Sequence, residues 1–404
     1  MQRITQLTDT DWQPLPRPAG PPRPVVVTRV ADPEPARLDG DAIARRVARA
    51  GGPEVVRRTA ATAEVRFWHH APEATAVALA ASGWWRPQAP DRCDLTRVGA
   101  TGWWTGTFRV PADWQATYRF VEHRGAAPPP WWERGLRDPG APTVADRHNP
   151  ARHAAARGED CAVVRVPGVA RRPWLAAFAT EGAPARELRT RAREPRVRWW
   201  AAESDEPLPL LVVLDGEAHT ERLATHRVLA GAVAAGQLPP LAAVFVDSGP
   251  RRPEVLGVPG GRARWIGERL VPRLRRDGLD GRRLAADPAR TVVTGSSFGG
   301  LTALFTVART PEVVGAALAQ STSLWRYPER ALLAPLVAAD RKHPLRLRLQ
   351  SGRYEGALPE LADDLAVRLR ERGVDTTATV VSGGHDWAWW VPLAVEGAAE
   401  LLND

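Results

Sequence analysis

A serine performs acyl-transfer chemistry when it stands on a tight turn above a sheet and a base takes its proton, and one segment of the chain is built that way. Gly295-Ser296-Ser297-Phe298-Gly299-Gly300 follows the apolar run RTVVT and opens the helical stretch LTALFTVART. The spacing G-x-S-x-G flanks Ser297 with small residues, as a strained strand-to-helix turn with an exposed hydroxyl requires. Ser296 is the competing hydroxyl, at the wrong position of the pentapeptide. A serine needs a base, which in this arrangement follows the last strand, and Ser382-Gly383-Gly384-His385-Asp386-Trp387 stands there. The two glycines are read as giving that loop freedom. His385 also lies C-terminal to the serine, as the order Ser, acid, His demands. The other eight histidines read as surface or satisfied buried residues. The orienting carboxylate should follow the preceding strand, LRLRLQSG, where Glu355 is the first acid. Asp363 and Asp364 fall on the next helix, and Asp386 reads as a local hydrogen-bond partner. Two backbone donors are needed for the oxyanion, which points to Phe298 and to Gly216 or Glu217 in the turn after LPLLVVLDG.

These residues must be held by strands that end at a common edge. LPLLVVLDG, LAAVFVDS, RTVVTGSS, VGAALAQS, LRLRLQSG and TATVVSGG are near-continuous apolar runs alternating with helical stretches, the pattern of a parallel sheet covered on both faces. RARWIGERLVPRLRRDG and LPELADDLAVRLRERG carry apolar residues at helical spacing. Upstream the texture differs: AEVRFWHH, TAVALAA, GWWTGTFRV and ATYRFVEH are short, aromatic and β-branched, and predict an antiparallel sandwich. ARLDGDAIARRVARAGG before them predicts a helix stopped by Gly51 and Gly52. The run PLPRPAGPPRP, poor in backbone donors, marks residues 1–33 as an unpacked tail. The expected division is therefore a tail over 1–33, a β-sandwich domain over 34–178 and an α/β domain over 179–404.

Composition narrows the function classes. At 404 residues, 44% hydrophobic and 25% charged, the chain is globular and long enough for two domains. No stretch of about 20 apolar residues is free of Arg, Asp, Glu or Pro, which excludes a spanning helix. The opening residues lack a basic segment followed by an apolar run, so the expected location is cytoplasmic. Cys93 and Cys161 have no metal-site neighbours in sequence. The net charge of +9 comes almost wholly from arginine, Lys342 being the sole lysine, and the arginines are scattered, which argues against a nucleic-acid groove. GC-rich codon usage and an anionic ligand both account for such a composition.

LLVVLDGEAHTER, QLPPLAAVFVDS, RRPEVLG, TVVTGSSFGGLTALFTVARTPEVVGAALAQSTSLWR and GGHDWAWW together resemble the enterochelin (ferric enterobactin) esterases, enzymes that open tricatecholate siderophore lactones. AIARRVARAGGPEVV, EVRFWHHAPEATAVALAASGWWR, TGWWTGTFRVPADWQATYRFV and VADRHNP resemble the sandwich domain preceding the esterase domain in that family, so the likeness covers residues 40 to 404. It departs at FWHH, where the family is more basic, and in the Pro-rich tail. The resemblance implies an α/β-hydrolase domain of the esterase D-like group behind an immunoglobulin-like sandwich, with Ser297, His385 and Glu355 as its triad. It further implies Arg251, three residues before Glu254, as the arginine that meets anionic catecholates, with Arg252 as its stand-in. A ferric tris-catecholate is a trianion with three flat rings, which suits guanidinium and indole partners. Of seventeen tryptophans, Trp325, Trp387 and Trp389 are expected near the site. No cofactor or metal of the protein's own is implied, because iron arrives inside the ligand. The implied partner is that small molecule, with neither nucleic acid nor membrane, for a monomer or weak homodimer whose N-terminal domain closes over the active site. Two other readings stay open: an esterase or acyltransferase acting on feruloyl, lipid or secondary-metabolite esters, and a non-catalytic siderophore- or glycan-binding protein.

Overall fold

Strands that alternate apolar and polar residues bury one face, and strands apolar on both faces need cover on both sides. The computed structural model, which describes residues 25–153, 160–176, 184–328 and 330–403, contains both kinds. Among the described residues, ten strands make up the first half: β1 Thr28–Val30, β2 Glu54–Arg58, β3 Thr62–His70, β4 Ala76–Ala81, β5 Thr96–Arg97, β6 Trp103–Pro111, β7 Gln115–His123, β8 Thr143–Val144, β9 Arg152–His153 and β10 Cys161–Arg165. They form two sheets, ordered β1-β6-β3-β2 with β5 on β6, and β4-β7-β10-β9 with β8 on β7. Phe67, Trp84, Phe108, Trp114, Tyr118 and Phe120 fill the space between the sheets, and Trp84 stacks on Trp114 at 5.0 Å. The expected helix is present as Gly40–Ala50, capped by the Asp39 carboxylate on the Ala42 amide and closed by Gly51 in the left-handed region.

The tail expected over residues 1–33 is corrected from residue 25 onward. Thr28–Val30 pairs antiparallel with β6, and Val27 is 1% exposed. Proline dominates the segment only as far as Pro24, and the following VVVT is a β-branched run that strands favour. Asp32 continues the attachment, accepting from Arg66 Nε at 2.7 Å and Thr107 Oγ1 at 2.6 Å. Arg66 is buried, and Glu34 and Glu54 bind its two remaining nitrogens at 2.8 and 3.1 Å. Residues 1–24 and the expected border at 178/179 lie outside the described residues.

The second half is one eight-stranded sheet of β11 Arg186–Leu188, β12 Val197–Ala201, β13 Leu210–Leu214, β14 Ala242–Val246, β15 Thr291–Ser296, β16 Ala316–Gln320, β17 Arg346–Gly352 and β18 Asp375–Val381. Its order is β11-β12-β14-β13-β15-β16-β17-β18. From β14 to β18 all neighbours are parallel, whereas β11 and β12 add an antiparallel edge, so the sheet is mostly parallel and the six apolar runs named from the sequence are its parallel strands. An apolar run such as VRWWA carries no mark of direction. The helices Phe298–Arg309 and Leu358–Arg370 pack on one face, and Thr225–Ala234 and Trp387–Leu402 on the other. Loops leaving the parallel strands therefore gather at their carboxyl ends.

If residues 25–33 belong to the sandwich, Asp32→Ala leaves the buried Arg66 short of a partner and lowers the unfolding free energy by about 1–3 kcal/mol. Urea denaturation followed by tryptophan fluorescence measures this, and a wild-type midpoint would mean the segment is unpacked.

Candidate functional site

The chain turns sharply where β15 ends. Ser297 has φ 63° and ψ −117°, and the helix Phe298–Arg309 begins with the next residue. The turn is tight enough that a Cβ on Gly295 would stand 2.8 Å from the Gly299 carbonyl carbon. Ser297 is partly exposed, its amide donates to Gln320 O at 2.8 Å, and its Oγ lies 3.2 Å from Ser323 Oγ. Ser296 is buried and points its hydroxyl at Gln320 Oε1, so the two adjacent serines are separated as their pentapeptide positions suggested.

Two strands away from β16, His385 follows β18, and its Nδ1–H donates to Glu355 Oε1 at 2.6 Å. The other Glu355 oxygen accepts the Gly352 amide at 2.6 Å, which fixes the carboxylate against the end of β17. The Glu355 side chain is 1% exposed and His385 28%. A proton held at Nδ1 by a carboxylate leaves Nε2 as the ring's acceptor. Trp390 meets the imidazole edge to face at 4.6 Å and is anchored by its own Nε1–H on Ser321 Oγ at 2.7 Å. Asp364 instead pairs with Arg330 and Arg368 on its helix. Asp386 does more than serve its neighbour: it caps the helix Trp387–Leu402 through the Ala388 amide at 3.0 Å and accepts from Thr117 in the sandwich.

The loop freedom expected from Gly383-Gly384 is corrected. Ser382, Gly383 and Gly384 are all buried. A Cβ on Gly383 would lie 2.8 Å from the Trp389 ring, and one on Gly384 would lie 2.5 Å from the Gly83 nitrogen. Crowding, not mobility, selects glycine here.

The opposite wall begins at Asp215, in the left-handed region at φ 60°. Its buried carboxylate accepts from Ser248 Oγ at 2.7 Å and from Arg252 Nε and Nη2 at 2.6 and 2.7 Å. Gly216 and Glu217 open the short helix Gly216–Glu221, and Phe298 opens its own, so these three amides have no acceptor within their helices. Gly216 is required by packing, since a Cβ there would stand 2.6 Å from the Phe245 carbonyl carbon. The Glu217 carboxylate takes the Ser248 and Gly249 amides at 2.9 and 3.0 Å and so fixes the loop after β14. Arg252 also reaches Ser296 O at 3.2 Å and lies 5.8 Å over the Phe298 ring. Arg326 lies 4.6 Å over the same ring, and Trp325 meets it at 6.0 Å.

Not every expected residue joins this cluster. Arg251 is 76% exposed with Glu254 at 3.4 Å, out on the rim. Trp387 is wedged between His219 at 5.1 Å and Trp390 at 4.9 Å. Trp389 is corrected from a substrate ring to a core residue: it is 0% exposed, and its Nε1–H donates to Gly384 O. Sequence reasoning missed Trp390, Arg326 and the hydroxyl group Ser321-Thr322-Ser323. A cluster of hydroxyls directly after the strand VGAALAQ was the signal available for the last. Among the described residues, no group of three or more His, Cys, Asp or Glu is arranged to hold a metal, and no helix is long and apolar enough to cross a membrane.

Known proteins are similar to this chain. The family model described as "Putative esterase" matches residues 185–401. The chain is similar to the iron(III) salmochelin esterase of Escherichia coli O6:H1 (strain CFT073), 28% identical over 76% of this chain and 79% of that protein. It is similar to the iron(III) enterobactin esterase of Escherichia coli K12, 27% identical over 87% and 94%. The crystal structure of the enterobactin esterase from Shigella flexneri in the presence of enterobactin matches with a TM-score of 0.72, 25% identical over 87% of this chain and 96% of that one.

Two measurements check this description. Arg252→Met strips the buried Asp215 of both guanidinium bonds and is expected to lower stability by about 2–3 kcal/mol in urea unfolding. Burial pushes the His219 imidazole down to about 4. Its unfolded value is about 6.5, so the stability it contributes is present above that pH and is lost as pH falls toward 4. The gap between wild type and His219→Gln should therefore shrink by about 3 kcal/mol from pH 7 to pH 4, read from unfolding curves at a series of pH values.

Proposed function

The chain belongs to the esterase family, and from that premise we propose that it hydrolyses the seryl esters of a ferric tricatecholate trilactone siderophore such as enterobactin, with Ser297 as nucleophile. The observation that carries the chemistry is the 2.6 Å bond from His385 Nδ1–H to a buried Glu355, in a sheet whose strand β15 ends at a serine on a positive-φ elbow. The substrate class is supported by likeness to enterobactin and salmochelin esterases across both halves of the chain. The strand order with an antiparallel second strand supports an α/β-hydrolase domain, and the two antiparallel sheets before it support an immunoglobulin-like sandwich.

In the proposed reaction His385 Nε2 takes the Ser297 proton as Oγ attacks the lactone carbonyl, while Glu355 holds Nδ1–H and stabilises the imidazolium. The amides of Phe298 and of Gly216 or Glu217 receive the oxyanion. The tetrahedral intermediate collapses as His385 passes the proton to the departing seryl hydroxyl, leaving an acyl-enzyme. Water, deprotonated by the same imidazole, then attacks the acyl carbon and frees Ser297. Arg252 and Arg326 beside Phe298, with Trp325 and the rim residue Arg251, supply charge and ring faces for the catecholates. No cofactor enters the scheme, and iron travels as part of the substrate. Opening the trilactone removes the preorganisation that gathers three catechols on one iron, so the metal is held less tightly.

A chromatographic time course with ferric and iron-free enterobactin tests the proposal. Linear dihydroxybenzoylserine products are expected from wild type, with a loss of about 10³- to 10⁶-fold for Ser297→Ala. Ser297-dependent cleavage of simple aryl esters with the trilactone left intact would overturn the substrate class and keep the chemistry.

A further inference from the structure

Four consecutive carbonyls lead up to and include the histidine, and every one accepts a hydrogen bond. Ser382 O receives the Gln115 amide at 3.1 Å, and His385 O receives the Ser82 hydroxyl at 3.4 Å, both donors being in the sandwich half. Between them, Gly383 O receives the Tyr354 amide at 3.0 Å and Gly384 O the Trp389 indole at 2.6 Å, both from the hydrolase half. The next residue, Asp386, is 3% exposed, and its carboxylate accepts the Thr117 amide at 2.5 Å and the Thr117 hydroxyl at 3.1 Å. The acid side is tied down in the same place. Tyr354, adjacent to Glu355, packs against the sandwich core. A Cβ on Gly83, itself at φ 91°, would stand 2.6 Å from the Tyr354 Cβ and 3.0 Å from the Gly384 Cα. The loop bearing the base and the turn bearing the acid thus rest on one sandwich turn, Ser82-Gly83.

We propose that Asp386 is a positioning residue through which the β-sandwich sets where His385 stands relative to Glu355 and Ser297. This rests on reading those three residues as the catalytic set. A helix cap alone needs only the Ala388 amide, and any short polar side chain at the N-cap serves it. The Thr117 bonds add nothing to a cap. What they fix is the docking of strand β7 onto the residue directly after the histidine. A displacement of about 1 Å in such a set costs on the order of 10²-fold in rate. The sandwich is accordingly part of the hydrolytic machinery for every ester, whatever substrate it also contacts.

The test uses full-length protein and p-nitrophenyl acetate, an ester too small to need the catecholate pocket. Asp386→Asn keeps an oxygen for Ala388 but sets an NH₂ against the Thr117 amide, and Thr117→Val removes only the hydroxyl bond. Turnover is taken per site titrated with a fluorophosphonate, and the low-field NMR signal of the His385 Nδ1 proton reports its bond to Glu355. Asp386→Asn is expected to lower kcat about 10- to 100-fold with KM within about twofold, and to shift or broaden that signal. Thr117→Val should do the same to a smaller extent. Variants with wild-type circular dichroism, kcat and proton signal would overturn the proposal. Should Asp386→Asn not fold, the kcat and proton signal of Thr117→Val decide between these outcomes. If wild type turns over no ester at all, the hydrolase reading fails, while the proton signal still decides whether the sandwich positions the histidine.

Discussion

Backbone meets backbone at Gly83 and Gly384, closely enough that neither residue has room for a side chain. Much of the molecule is arranged around that contact. The sheet of the hydrolase half delivers its loops to one edge because its central strands run parallel, and the sandwich rests on the loops that follow β17 and β18. Tyr354 packs against the sandwich core on one side of the contact, and Asp386 takes two bonds from β7 on the other. Further out, Arg172 clasps Glu396 with Nε at 2.6 Å, joining the segment after β10 to the last helix. Two halves held by a close approach, a packed ring and buried charge-assisted bonds have little freedom to slide or hinge.

The arginine-rich composition has an architectural explanation in many places. Arg66 holds the carboxylates of Asp32, Glu34 and Glu54 on the outer face of its sheet. Arg275 ties together the Ala285 and Val313 carbonyls and the Thr291 hydroxyl. Arg198 joins Thr220, Glu221 and Asp247 at the start of the sheet. A planar guanidinium with five donors can satisfy several acceptors at once, which an ammonium on a flexible stem does poorly. Next to Ser297 the same geometry serves another end. Arg252 spends its donors on Asp215 and Ser296 and still presents a flat cation to Phe298.

The elbow was legible in the sequence because strand, turn and helix succeed one another within a few residues, and the histidine and its glutamate because each follows the end of its own apolar strand. Other features depend on information that a linear pattern does not hold. Trp389 and Trp390 are neighbours in sequence, and a rotation of one helical step puts one in the core and the other against His385. Gly383 and Gly384 look the same whether glycine is present for freedom or for close approach, and only the partner backbone distinguishes these. β1 was hidden by the prolines before it, although Val25 to Thr28 had the residue types of a strand. The bonds that Thr117 makes to Asp386 could not be read, since Thr117 lies 269 positions away.

A loop crowded on both sides is closed to variation. Insertions or larger side chains between Ser382 and Asp386 would have to displace the Ser82-Gly83 turn, the Trp389 ring or both. The segments on the other side of Ser297 face no such barrier: Arg251 and Glu254 stand in solvent, and Trp325 and Arg326 lie on a short surface turn after β16. Changes of sequence can therefore accumulate in those two segments far more readily than in the histidine loop.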